Sequence, residues 1–128
     1  MKQAINSPQA PAAIGPYSQA IAAGGFLYVS GQLPVDGASG GIPPSIEEQT
    51  KNSLANIDAI LKHAGYARND VVKVTVFLAD MGDFAAMNRV YGEFFEGCVY
   101  PARAAFQVAR LPKDALVEIE AVAFKGGA

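Results

Sequence analysis

The chain has 128 residues, a net charge of −2, and a composition that is 51% hydrophobic and 17% charged. That is enough for one domain, residues 1–128, with a real core, and with no basic run it lacks the concentrated positive charge that grips nucleic acid. A single cysteine, Cys98, rules out an internal disulfide and has no Cys or His neighbour with which to cage a metal, and no stretch approaches the ~20 apolar residues of a membrane span.

Met1 to Asn6 is too short and too polar to act as a signal peptide before Pro8 and Pro11 interrupt it, so a soluble, cytoplasmic protein is expected. This opening can also form a short strand, Lys2 to Asn6. Ser18 to Ala23 and Phe26 to Ser30 then flank Gly24-Gly25, a hairpin pattern. Pro34 to Pro44 is rich in glycine and proline and reads as a surface connection. Ser45 followed by Glu48 is a capping-box pattern, and the apolar or small residues from Ile46 to Ala64 recur at helical spacing until Gly65 stops the helix. His63, in the last turn, suits the helix dipole and reads as structural or solvated.

Val71 to Leu78 is β-branched and predicts a strand. Asp83 can cap a second helix running to Phe95, whose Phe84, Met87, Tyr91, Phe94 and Phe95 form an apolar stripe that reads as core. Arg103 to Ala109 and Leu116 to Phe124 are two further strands around the turn residues Leu111-Pro112-Lys113-Asp114, and are expected to be hairpin neighbours. The order β-β-α-β-α-β-β predicts an α+β fold, a mixed sheet with both helices on one face. The last strand and the Val71 strand are largely apolar on both faces, so the uncovered face wants a second copy of the chain, and a groove between copies is a natural ligand site.

Arg103 opens an apolar strand among alanines. A guanidinium there is costly unless an anion meets it, and its planar fork fits a carboxylate. It is either the clamp of a small-acid site or half of a structural ion pair. Glu118 and Glu120 share one side of the last strand among apolar residues, and a partly desolvated glutamate can shuttle protons near neutral pH. The alternatives are a salt bridge, with Arg103 as a possible partner, or an exposed edge. Gly15-Pro16-Tyr17-Ser18 places a phenol after a rigid turn, and Tyr28-Val29-Ser30-Gly31-Gln32 ends a strand in small polar residues. Together these supply an anion clamp, a proton carrier and donors, a set suited to adding water across a polarised carbon–nitrogen bond.

Gly15-Pro16-Tyr17-Ser18-Gln19-Ala20, Val29-Ser30-Gly31-Gln32, the Val71 to Leu78 strand, Phe84 to Phe95 with Asn88, and Pro101-Ala102-Arg103 followed by Ala109 to Asp114 and Ile119-Glu120-Ala121 resemble the RidA (YjgF-type) reactive-intermediate deaminase family in order and spacing, over essentially the whole chain. The resemblance implies a chorismate-mutase-like α+β domain, a homotrimer with sites between subunits, and no cofactor or metal. It implies hydrolysis of 2-enamine and 2-imino acids, such as 2-aminoacrylate/2-iminopropionate and 2-iminobutyrate, to 2-keto acids and ammonia. By the same resemblance Arg103 grips the substrate carboxylate, Glu118 orients or activates the water, and Tyr17 lines the site. Ser30, Gly31 and Asn88 lie near the ligand. Ala105 stands where the family often has cysteine, its contact being made by the backbone amide. The alternatives are a non-catalytic keto-acid-binding regulatory module and an RNA-cleaving or translation-inhibiting protein.

Overall fold

The computed structural model describes residues 1–126. Its six strands are β1 (Gln3–Ile5), β2 (Ala20–Ala23), β3 (Phe26–Gln32), β4 (Val71–Leu78), β5 (Ala102–Gln107) and β6 (Val117–Phe124). They form one sheet in the order β1-β2-β3-β6-β4-β5, with helices α1 (Ile46–Ala64) and α2 (Phe84–Phe94). The element order is the one expected, including the short first strand.

Local chemistry accounts for the ends. Gly24 and Gly25 have φ of 58° and 88° and close the β2–β3 hairpin as a two-residue turn, a backbone that L side chains resist. The Ser45 hydroxyl accepts from the Glu48 amide at 3.1 Å and donates to its carboxylate at 3.2 Å. Gly65 ends α1 at φ 85°, and the next amide, of Tyr66, reaches back to the Leu61 carbonyl at 2.8 Å. The second cap differs from expectation. Asp83 makes no side-chain cap bond; Asp80 instead caps the short turn before α2, accepting from the Gly82 amide at 2.7 Å. The chain turns once before the helix starts, and the first turn takes the cap.

The strand partner of β5 is also corrected. β5 pairs in parallel with β4, whereas β6 lies between β3 and β4, antiparallel to both. Residues 103–109 and 116–124 are therefore not hairpin neighbours. The β4-α2-β5 stretch is a crossover long enough to return the chain in the same direction, and this leaves β5 at the sheet's edge.

Both helices cover one face. Leu54, Ile57, Ile60 and Leu61 of α1 and Met87 and Tyr91 of α2 join Val74, Val76, Val117, Ile119 and Ala121 of the sheet in one buried core. Each fully buried aliphatic side chain contributes about 1.5–3 kcal/mol. Among the described residues no helix covers the opposite face. On it Phe26, Tyr28, Phe106 and Phe124 are all more than a third exposed. Phe26 packs on Phe124 at 4.7 Å between ring centres, and Phe77 on Phe106 at 5.5 Å. The rings thus form two exposed aromatic clusters, one at each end of β6.

Candidate functional site

The residues singled out in the sequence fall into two groups on opposite faces of the sheet. Side chains directly opposite one another across paired strands share a face. Arg103 stands opposite Val74, which stands opposite Ala121, and both neighbours are buried beneath the helices. Glu118 stands opposite Phe77, which stands opposite Phe106, on the uncovered face. Within one copy of the chain, Arg103 and Glu118 do not meet, and the ion pair left open as one alternative is not formed. Among the described residues Arg103 makes no ion pair; its bonded partner is the Asn88 side-chain carbonyl, at 2.7 Å from Nη1.

On the uncovered face a cavity of about 640 Å³ gathers Tyr17, Ser30, Gly31, Glu118 and Glu120, with apolar walls from Ile14, Leu33 and Val35. It owes its shape to a bulge. From Val29 to Gln32, β3 advances three residues while β6 advances two, from Ala121 to Ile119. The extra residue falls at Ser30-Gly31 and re-aims the strand beside the glutamates. Gly31 leaves room for the Glu118 carboxylate: a Cβ on it would lie 2.7 Å from that group and force it to shift.

No hydrogen bond or ion pair reaches the Glu118 carboxylate among the described residues, and burial, with Glu120 as a second cause, pushes its pKa above the usual glutamate value. The Ser30 hydroxyl is committed, donating to the Ser18 carbonyl at 2.6 Å while the Ser30 amide bonds Gln19. Ser30 thus ties the Tyr17 segment to β3. Tyr17 is about half exposed and follows Gly15 at φ 126°.

The covered side offers a second hollow of about 420 Å³, lined by Asn88, Tyr91, Gly92, Tyr100, Pro101 and Arg103. The guanidinium carbon of Arg103 lies 4.7 Å from the Tyr91 ring centre and 5.6 Å from that of Phe84. Burial pushes the Tyr91 phenol up to about 12, against a smaller opposing pull from Arg103. Ala105 sits two residues along β5 on the same face as Arg103, packed against the core, and lines neither hollow.

The apolar spacing of α2 points to Phe84 and Tyr91 as core only and does not reveal their place beneath Arg103. Their spacing with Asn88, at i, i+4 and i+7, puts all three on one face of a helix. Local pattern likewise does not reveal Gln19, buried, which accepts from the Ser7 amide at 2.7 Å and donates to the Pro11 carbonyl at 2.9 Å, anchoring the segment that carries Ile14 and Tyr17. Among the described residues there is no cluster of His, Cys, Asp and Glu able to hold a metal, and no helix is long and apolar enough to cross a membrane.

The fold and the two hollows define an α+β protein that offers an arginine at one surface and a half-buried glutamate at another. The family model described as Endoribonuclease L-PSP matches residues 7–125, and the chain belongs to that family, the YjgF/RidA family. It is 57% identical to a RutC family protein of Pyrococcus horikoshii, over 98% of this chain and 99% of that one. It is 51% identical to a 2-iminobutanoate/2-iminopropanoate deaminase of Capra hircus, over 98% of this chain and 92% of that one. The crystal structure of Escherichia coli TdcF with bound serine superposes with a TM-score of 0.94 at 44% identity, covering 97% of this chain and 99% of that one.

Proposed function

We propose that this chain is a cytoplasmic hydrolytic deaminase of 2-imino and enamino acids, releasing 2-keto acids and ammonia at sites shared between copies of a homotrimer. The observation that carries the reading is the state of Arg103: it is held by a neutral amide carbonyl and aromatic faces, and among the described residues no acid of its own chain pairs with it. A guanidinium so held is ready for a small carboxylate. Relatives of similar length named as 2-iminobutanoate/2-iminopropanoate deaminases support the choice of substrate class.

Because Arg103 and Glu118 face opposite sides of one sheet, a site using both needs two copies. The uncovered aromatic face of the sheet is the surface over which copies would join. The substrate carboxylate docks on Arg103 of one copy. Tyr17 and the amides of Gly31 and Ala105 orient its polar end, with Ser30 shaping the wall. Glu118 of the other copy takes a proton from water as the oxygen bonds to the carbon of the protonated imine and the C=N π pair moves to nitrogen, giving a carbinolamine. Glu118 returns that proton to the amino group. The carbon–nitrogen bonding pair then leaves with nitrogen as ammonia, while the hydroxyl oxygen forms the keto carbonyl and gives its proton back to Glu118, from which it passes to solvent or to the ammonia. A carboxylate with a raised pKa suits these transfers. The imine is already reactive, so positioning and charge complementarity suffice. RNA cleavage is less well supported, since the chain carries a net charge of −2 and no basic run to grip phosphates.

The test is a coupled assay in which an amino-acid oxidase or dehydratase generates the imine. Arg103→Ala should lower deamination by roughly a hundredfold, the worth of a lost charge-assisted pair of hydrogen bonds. Full activity in the folded variant refutes the clamp.

A further inference from the structure

The residues that hold Arg103 come from one face of one helix. Phe84, Asn88 and Tyr91 are spaced i, i+4 and i+7 along α2, which aligns them beneath the guanidinium. Asn88 takes a single N–H, at 2.7 Å, and the two rings lie at 4.7 and 5.6 Å. Tyr91 is only 4% exposed and is backed by the Phe95 ring at 5.0 Å, itself against Phe94 at 4.8 Å. The floor under the arginine is therefore fixed by core packing. Among the described residues the Tyr91 hydroxyl has no hydrogen-bond partner, so what this residue gives Arg103 is its ring face.

We propose that Tyr91 and Asn88 are positioning residues that seat the Arg103 guanidinium on α2, fixing its plane without cancelling its charge. The inference rests on the reading of Arg103 as a carboxylate clamp and adds how the clamp is set. Arginine has a long flexible stem, and freezing it when a ligand arrives weakens binding. The seat removes that freedom beforehand. Five N–H donors radiate from the guanidinium, and one bond to Asn88 leaves a fork for two carboxylate oxygens. An amide carbonyl is the acceptor suited to this role, since a carboxylate in its place would neutralise the cation. Asn88 then acts through Arg103 and not by touching the ligand.

The test reads charge selectivity, which a purely structural role would not move. Affinities for 2-ketobutyrate and for its neutral amide, 2-ketobutyramide, are measured by ligand-observed NMR titration on the full chain in its native assembly. The ratio of the two affinities should fall roughly five- to tenfold in Tyr91→Leu, the scale of a lost cation–π contact, and Tyr91→Phe should recover most of it. Asn88→Ala should lower the ratio, and Asn88→Asp should lower it further. An unchanged ratio in Tyr91→Leu, an equal loss of both ligands, or a Tyr91→Phe as impaired as Tyr91→Leu each overturns the seat. If Tyr91→Leu does not fold, the order of the two variants at the exposed Asn88 decides alone. Arg103→Ala separates the two levels. If it keeps the preference for the anion, the clamp reading falls; if it loses the preference while the α2 variants keep it, only the seat falls.

Discussion

Two arginines in this molecule lean on aromatic rings of the same helix, and two acids are partly withdrawn from water, yet the pairs are handled in opposite ways. Arg68 lies 4.0 Å over the Phe94 ring and uses all three nitrogens. Nε and Nη2 bond the Asp58 carboxylate at 3.1 and 3.3 Å, and Nη1 bonds the Phe94 carbonyl at 3.0 Å. Burial alone would raise the Asp58 pKa, but the bonds from Arg68 and Lys62 outweigh it and hold it below the ordinary 3.8. Arg103 spends one nitrogen on a neutral acceptor, and Glu118 has no donor among the described residues and a raised pKa. A charge pair that completes itself belongs to the fold. Two charges placed on opposite faces and left incomplete are available to a ligand.

Glu118→Gln should break this contrast most severely. It keeps the shape and removes the proton carrier, so kcat should fall roughly a hundred- to thousandfold while keto-acid affinity changes little. A larger effect on affinity than on kcat, in steady-state kinetics beside binding titrations, would contradict the assigned role. Gly31→Ala comes next. The added methyl would sit 2.7 Å from the Glu118 carboxylate, whose flexible end can give way, so the fold should survive with the acid displaced. Turnover should drop roughly ten- to hundredfold, and unimpaired kcat would show that the carboxylate's placement is not critical.

The smallest effects concern stability and run in opposite senses with pH. The lowered pKa of Asp58 means its contribution is present above 3.8 and lost as pH falls through the folded value. Asp58→Ala should therefore cost about 1–2 kcal/mol at neutral pH, a gap that closes in acid, with imine turnover unchanged. The raised pKa of Glu118 means that its favourable contribution is present below the ordinary 4.5 and lost as pH rises through the folded value. Glu118→Gln should accordingly be at least as stable as the unsubstituted chain at neutral pH, with no advantage in acid. Denaturant midpoints across pH check both, and parallel pH trends would erase the distinction between the two acids.

Much of this was readable beforehand. The elements of the fold are written in local patterns. Gly24-Gly25 allows the positive φ that a two-residue turn needs, Ser45 with Glu48 and Gly65 bracket α1, and alternating burial along Val117 to Phe124 follows from a period of two. These depend on backbone chemistry within a few residues, so the sequence determined them by itself. Of the residues that the sequence groups into one site, Tyr17, Ser30, Gly31 and Glu118 line one cavity, whereas Arg103 does not.

What only the tertiary structure decided is which elements became neighbours. β6 inserted between β3 and β4, and β5 went to the edge, because the α2 crossover favours parallel pairing with β4. That choice put Arg103 against Tyr91 and Asn88 and placed it on the opposite face from Glu118. Strand order is set by long-range packing of the whole core, and no short stretch of residues encodes it.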